Sequence, residues 1–334
     1  MRGTAWRILA PRYARVLPIL ALVTGVLTYF LVILGSTVRV TESGMGCPGW
    51  PLCYGQLGPI DNFHSVLEQS HRYLVSLVTV VVVLTALAAW RYARNRPSIL
   101  RPAVAALVII VIQIILGAVT VITHNAPITV ALHLLTAMIL LGVVWVTAVA
   151  TLVERRSSVG RRLNPRAWWA VSATFVVMMS GSLVVDGGAA YSCPSWPGCS
   201  SSSGQPQQLV IIQDVHRLTV LIATIFIALL VMHAARRWRR VKGARVVADV
   251  VAVLLLAQIA AGGLVATLQA PEGLQDLHLA LGSATWAMVV ILATIGWLTA
   301  ADSGSPFTRS ASDPGFLGGV NPTPPLAQPG TGDH

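Results

Sequence analysis

Long stretches without a charged side chain constrain the fold of this chain more than any other feature. They span residues 16–38, 73–90, 102–153, 167–185, 218–235, 250–271 and 277–301. A helix needs about 20 apolar residues to cross a bilayer core of roughly 30 Å. The longest stretch has room for two helices, because the turn-like cluster His124-Asn125-Ala126-Pro127 interrupts it. The pattern therefore predicts an all-α polytopic membrane protein with eight transmembrane helices, since backbone groups in lipid must pair within their own segment.

The charge distribution predicts the orientation of these helices. Charged residues make up 10% of the chain, against roughly 25% in soluble domains, so an ordinary soluble enzyme is excluded. The net charge of +11 reflects membrane topology rather than binding to nucleic acid, because 20 of the 23 Lys and Arg residues fall on one side of the predicted spans. By the positive-inside rule, we expect a multi-pass protein of the cell membrane with both termini in the cytoplasm.

The sequence repeats itself at an offset of about 145 residues. The segment GCPGWPLC at 46–53 recurs as SCPSWPGC at 192–199, and His71-Arg72 recurs as His216-Arg217. Because each repeat holds four helices, both face the same way, and we expect two four-helix bundles related by a pseudo-twofold axis along the membrane normal. The predicted division is a cytoplasmic N-terminus 1–15, a first half 16–153, a cytoplasmic linker 154–166, a second half 167–300 and a disordered cytoplasmic tail 301–334.

All four cysteines lie in the two outer loops, as one C-x5-C pair in each loop. On the oxidising side of a membrane, disulfides Cys47–Cys53 and Cys193–Cys199 are favoured. Four cysteines allow three pairings, which sequence alone does not distinguish. A four-thiolate zinc site is an alternative, although the cysteine pairs of such sites usually have shorter spacing.

Four histidines recur near the outer starts of the even-numbered helices: His71, His133, His216 and His278. A single histidine within a span is most often a hydrogen-bonded packing residue, but four at one depth on parallel helices indicate ligands. Imidazole binds zinc, copper and heme iron. Since no CxxCH motif is present, covalent c-type heme is excluded, and each half is predicted to clamp one heme between two imidazoles.

Three further residues near these histidines are candidates for the same site. Arg72 and Arg217 directly follow two of the histidines and could pair with heme propionates; the alternative is that they anchor the helix ends at lipid headgroups. Glu68 lies three residues before His71, on the same helix face, whereas its repeat partner is Gln213. A carboxylate can exchange protons and an amide cannot, so Glu68 is a catalytic candidate, or else an interfacial residue without chemistry.

These motifs together resemble the heme A synthase family, of the type with cysteine pairs in both halves, over about residues 16–300. The resemblance implies an oxidoreductase that oxidises a ring methyl of heme O to the formyl group of heme A, through a hydroxymethyl stage, for assembly of cytochrome c oxidase. It also implies that His71 and His133 bind the substrate heme, that His216 and His278 bind a resident heme b, and that Glu68 is catalytic. A heme O synthase would then be the partner that supplies the substrate.

Two other function classes fit part of the pattern. A diheme membrane electron carrier of the cytochrome b type would hold two permanent hemes of one kind and form no formyl product. A transporter built from parallel repeats would need polar residues and broken helices at mid-membrane, whereas the stretches here carry no charge at mid-depth.

Overall fold

The computed structural model describes residues 10–57, 62–153, 164–199, 204–238, 241 and 243–299. Its helices are α1 Ala10–Val40, α2 Phe63–Ala93, α3 Pro97–Ile122, α4 Pro127–Leu152, α5 Pro165–Asp186, α6 Gln207–Arg237, α7 Ala244–Thr267 and α8 Glu272–Thr299. Within this described part, all eight are long and apolar enough to cross a membrane, which confirms the predicted fold class. The predicted tail 301–334 and most of the predicted N-terminal segment and linker lie outside the described residues.

Two of the even-numbered helices begin well before the charge-free stretches that predicted them. α2 begins at Phe63 rather than near residue 73, and its first turn is capped by Asn62, whose side chain accepts from the backbone N–H of His64. α6 likewise begins at Gln207 rather than near residue 218. Charged residues lie within the outer parts of both helices, as Glu68 and Arg72 in α2 and Asp214 and Arg217 in α6, so the absence of charge underestimates the length of both helices.

The turn predicted at residues 124–127 is present, and the second half repeats it. His124 and Asn125 have φ angles of 51° and 57°, and Gln269 and Ala270, each 145 positions later, have φ angles of 57° and 51°. This left-handed pair ends both helices in the same way, since the N–H of Asn125 and the N–H of Ala270 each bond a carbonyl five residues earlier, at 2.8 and 2.7 Å. The two halves therefore share backbone geometry as well as sequence.

Each half packs as a ring of four helices. In the first half α1 contacts α2 and α4, and α3 contacts the same two helices; in the second half α5 contacts α6 and α8, and α7 contacts the same two. The halves meet where α8 packs on α1 and α4 and where α4 packs on α5. These contacts are the ones that a twofold relation of the repeats requires, and the axis itself stays a prediction.

The centre of the bundle lies between α4 and α8. These are the most buried of the eight helices, since 50% and 67% of their apolar 18-residue segments are buried. The indole N–H of Trp286 donates to the carbonyl of Met138 at 2.8 Å, and the same ring lies against Gly142, where a Cβ atom would come within 3.2 Å. This contact joins the halves near mid-membrane and leaves the outer ends of the two rings for other groups.

Candidate functional site

The four predicted histidines lie about two helical turns below the outer helix ends. His133 and His278 are the seventh residues of α4 and α8, and His71 and His216 are the ninth and tenth residues of α2 and α6. At a rise of about 1.5 Å per residue, the four lie within roughly 5 Å of one depth below their helix ends. The common depth of the four rings in the membrane stays a prediction.

Each histidine ring faces a glycine on the preceding helix of its half. A Cβ atom added to the glycine would come within 2.9–3.4 Å of the ring in every case. The four contacts are Gly35 with His71, Gly117 with His133, Gly181 with His216, and Gly262 with His278. The sequence marks these glycines only as repeated positions; their contact with the histidines becomes visible in the packing of α1, α3, α5 and α7.

The histidines form one pair in each half. α2 and α4 occupy opposite corners of the first ring, since both pack against α1 and α3, and His71 and His133 are near enough to interact electrostatically. His216 and His278 interact in the same way in the second ring. A planar group placed between the four helices of either half would therefore meet an imidazole on each side.

The residues present fit heme iron held between two imidazoles. The Nδ1 atoms of His133 and His278 are buried and have no hydrogen-bond partner among the described residues, which is costly unless a ligand or metal takes the lone pair. The four glycines remove side-chain bulk beside the rings. Neutral imidazole is a common axial ligand of heme iron, so the unpaired nitrogens of His133 and His278 suit this group.

Polar side chains next to the histidines differ between the halves. In the second half, the Ser180 hydroxyl lies 2.9 Å from Nδ1 of His216, and the amide nitrogen of Gln258 lies 3.3 Å from Nε2 of His278. In the first half, the amide of Gln113 donates to the backbone carbonyl of His133 at 3.1 Å. No hydrogen bond to the His71 ring is found among the residues that the structure describes. Among the described residues, hydrogen-bond partners of the histidine rings are therefore found in the second half.

Both predicted disulfides are present. Cys47 is bonded to Cys53 and Cys193 to Cys199. A cluster of metal-binding type brings Asp214 near the second pair, but its two sulfur atoms are bonded to each other and are not thiolates. The four-thiolate zinc alternative therefore does not describe these cysteines.

Arg72 and Glu68 are both engaged by the first outer loop. The Arg72 guanidinium donates to the Glu68 carboxylate at 2.6 Å and to the Gly49 carbonyl at 2.7 Å. The other carboxylate oxygen of Glu68 accepts from the backbone N–H of Cys47 at 2.8 Å, and the Glu68 side chain is only 6% exposed. Sequence reasoning missed this arrangement, in which the candidate acid and the candidate propionate ligand bind each other and the loop.

In the second half, the arginine again donates to carbonyls of the outer loop, and a glutamine takes the place of the glutamate. Arg217 donates to the carbonyls of Cys193 and Pro197 at 3.1 and 3.2 Å. Gln213 donates its amide N–H to the carbonyl of Ala189 at 3.0 Å. Both arginines thus stabilise the loops, and their pairing with propionates stays a prediction, as does the catalytic role of Glu68.

The remaining histidines lie elsewhere. His64 bonds the Ser43 hydroxyl at 2.8 Å beneath the first outer loop, and His124 belongs to the turn after α3. His233 bonds the Asn164 amide at 2.8 Å near the other ends of α5 and α6. His334 lies outside the described residues.

Comparison with known proteins gives one consistent family. The COX15-CtaA family model, described as cytochrome oxidase assembly protein, matches residues 18–66 and 60–290. Heme A synthase of Geobacillus thermodenitrificans is 31% identical over 251 residues, which cover 72% of this chain and 79% of that protein. Heme A synthase of Geobacillus kaustophilus is 30% identical over 265 residues, covering 76% and 82%. Heme A synthase of Bacillus mycoides is 24% identical over 286 residues, covering 83% and 92%.

Proposed function

Because the chain belongs to the COX15-CtaA family of cytochrome oxidase assembly proteins, we propose that it is a heme A synthase, an oxidoreductase that converts heme O to heme A. The observation that carries the proposal is the repeated pair of histidines, each facing a glycine, in a family whose named members have that activity. The product serves cytochrome c oxidase assembly, and a heme O synthase supplies the substrate. The protein lies in the cell membrane with both termini in the cytoplasm, where its basic residues cluster.

The two halves bind different hemes. His71 and His133 bind the iron of the substrate heme in the first half, and His216 and His278 bind a resident heme b in the second. The presence of a carboxylate in the first half, where the repeat has the amide of Gln213, supports this assignment. Heme b, when bound, supplies one-electron redox chemistry.

The reaction oxidises a ring methyl of heme O to a hydroxymethyl group and then to a formyl group. With water as the source of the oxygen atom, CH3 and H2O give CH2OH in the first step, and CH2OH gives CHO in the second. Each step releases two protons and passes two electrons to an external electron acceptor, so a buried proton acceptor is needed beside the methyl group. Glu68 suits this role, because it precedes His71 by one helical turn and its buried carboxylate is oriented by hydrogen bonds from Arg72 and from the N–H of Cys47. The covering loop keeps water from this carboxylate, which strengthens its interactions with nearby charge.

The side chains of Arg72 and Arg217 lie at the outer edge of the two histidine pairs. Each guanidinium has five N–H donors, and the recorded bonds of both arginines come from the two terminal nitrogens alone. Each can therefore stabilise its loop and still pair with a heme propionate through its remaining N–H. This arrangement would place the covering loops over the heme edges.

Extraction of the bound hemes and substitution of the histidines test the proposal. We expect heme b in the purified protein, together with heme O or heme A. Replacing His216 or His278 with alanine should remove the low-spin bis-histidine spectrum of heme b. The control is His233→Ala, because His233 bonds Asn164 at the other end of α6 and should leave the spectrum unchanged.

Two results would contradict the proposal. An unaltered heme b spectrum in both the His216 and His278 variants would show that the resident heme lies elsewhere. Two permanently bound hemes of one type, with no heme A formed from supplied heme O, would indicate a diheme electron carrier instead.

A further inference from the structure

Two hydroxyl groups lie in a row beside the His216 ring in the second half. The Ser180 hydroxyl of α5 lies 2.9 Å from Nδ1 of His216 and 2.8 Å from the Thr219 hydroxyl of α6. Ser180 also donates to the Val177 carbonyl at 2.9 Å, and Thr219 donates to the His216 carbonyl at 2.7 Å. Ser180 is buried, so its contacts are not exchanged freely with water.

The single proton of the Ser180 hydroxyl limits the direction of its contact with His216. Besides the imidazole, two other acceptors lie within reach of this proton: the Val177 carbonyl at 2.9 Å and the Thr219 hydroxyl at 2.8 Å. When Ser180 donates to either of them, it has no proton left for the imidazole and accepts from Nδ1–H of His216. In this tautomer Nε2 carries the free lone pair that a metal ligand requires.

The first half has no equivalent of this pair. At an offset of 146 positions, Ser180 corresponds to Leu34, and at an offset of 145, Thr219 corresponds to Leu74. Both leucines are apolar, and the described residues offer His71 no hydrogen bond in their place. The glycine contact, by contrast, is kept in both halves, since Gly35 faces His71 as Gly181 faces His216. The halves thus share the close contact between glycine and ring but not the hydroxyl partner of the ring nitrogen.

We propose that Ser180, supported by Thr219, is a positioning residue that fixes His216 as the Nδ1–H tautomer and makes the second half the site of a permanently bound heme. The absence of such a pair beside His71 leaves the first half suited to a heme that enters and leaves. The inference rests on the proposed function, because it presupposes that His216 is an axial ligand. A hydrogen bond to the distal nitrogen of a ligating histidine typically changes metal affinity or activity 10- to 100-fold.

The test compares Ser180→Ala with Thr174→Val in the full-length protein purified with its bound heme. Thr174 is also buried on α5, and its hydroxyl bonds only the carbonyl of Ala170, at 2.7 Å, so the control removes a hydroxyl from the same helix without touching the histidine. The readouts are the rate of heme b transfer to apomyoglobin, the low-spin electron paramagnetic resonance spectrum, and the heme b midpoint potential.

We expect Ser180→Ala to release heme b about 10- to 100-fold faster, with a shifted low-spin spectrum and a higher midpoint potential, because the imidazole loses the acceptor that increases its basicity. Thr174→Val should match the wild type in all three readouts. Ser180→Thr, which keeps the hydroxyl, should restore slow release, and Thr219→Val should give a smaller change in the same direction as Ser180→Ala.

The outcomes separate this inference from the proposed function. A wild-type protein without a bis-histidine heme b would overturn the proposed function. A wild-type protein with that heme, and Ser180→Ala indistinguishable from Thr174→Val, would overturn the positioning role alone. If Ser180→Ala does not accumulate in the membrane, the comparison passes to Thr219→Val, and its agreement with Thr174→Val in all three readouts overturns the inference.

Discussion

Replacing Glu68 with glutamine removes the negative charge that pairs with Arg72 and accepts from the first outer loop. The Arg72–Glu68 ion pair is mostly buried, with side chains 14% and 6% exposed, and removing one member of a buried pair costs about 3–5 kcal/mol. Glutamine can still accept from the N–H of Cys47, and Arg72 keeps its bond to the Gly49 carbonyl. The structural cost should therefore lie nearer the value of one charged hydrogen bond, about 1.5–3 kcal/mol.

Glu68→Gln should also slow the reaction itself, and this loss of rate should exceed what the loss of stability explains. Loss of a positioned proton acceptor typically lowers a rate about 10²- to 10⁴-fold. The assay is the ratio of heme A to heme O in membranes that express each variant together with a source of heme O. We expect Glu68→Gln to reduce this ratio at least about 100-fold while the content of heme b stays unchanged.

Two matched variants separate catalysis from support of the loop. Gln213→Glu changes the repeat counterpart, where the amide donates to the Ala189 carbonyl, and should leave most heme A formation intact. Ser65→Ala removes the hydrogen bond that the Ser65 hydroxyl donates to the Gly46 carbonyl at 2.6 Å, which also holds the first outer loop on α2, so it should lower the ratio much less than Glu68→Gln. Equal losses from Ser65→Ala and Glu68→Gln would assign Glu68 to the loop, and a normal ratio in Glu68→Gln would refute its catalytic role.

Two further predictions concern the glycine contacts and the loops. Gly262→Ala should reduce retention of heme b in the purified protein, because the new Cβ atom would lie 2.9 Å from the His278 ring. The control Gly263→Ala should retain heme b, because its Cβ atom would make an ordinary 3.4 Å contact with a tryptophan ring. Equal retention in the two variants would contradict the predicted role of Gly262. Peptide mapping without reductant should recover Cys47 linked to Cys53 and Cys193 linked to Cys199, and a bond between the two loops would show that this pairing is wrong.

The sequence predicts the helices well because lipid imposes a simple rule on them. Eight apolar stretches, the turn at residues 124–127 and the two disulfides are all found. The outer ends of α2 and α6 are missed, since Phe63 and Gln207 open helices whose first turns are polar. Absence of charge identifies the apolar part of a transmembrane helix, and it does not detect outer turns that carry polar or charged side chains.

The partners of the site residues are harder to predict than the residues themselves. The spacing of His71 and Arg72 is equally compatible with an arginine that pairs with a propionate and with one that donates to loop carbonyls. The choice depends on where the loop backbone passes, and in the structure the Gly49 carbonyl lies 2.7 Å from the guanidinium. The hydroxyl of Ser180 could have been noticed from the repeat alone, because it stands where the first half has Leu34.

The outer ends of the two halves are joined by acidic residues that only the second half carries. Ser36, next to the glycine that faces His71, donates to Asp276 at 2.6 Å, and Asp276 precedes His278 by two residues. An ion pair also links Arg39 to Asp186. The repeat counterparts of the two acids are Ala131 and Val40, so these contacts have no equivalent in the first half.

The hydrogen bond between Ser36 of α1 and Asp276 of α8 connects the two halves, and a double-mutant cycle measures it. A hydrogen bond to a charged group contributes about 1.5–3 kcal/mol, so Ser36→Ala and Asp276→Ala should each destabilise the protein and show a coupling energy of that order in the double variant. The measurement is reversible unfolding in mixed micelles, with Glu272→Gln on the same helix as a control that should change little. A coupling energy near zero would mean that the bond between Ser36 and Asp276 does not contribute to the association of the halves, and that packing of α8 on α1 and α4 alone joins them there.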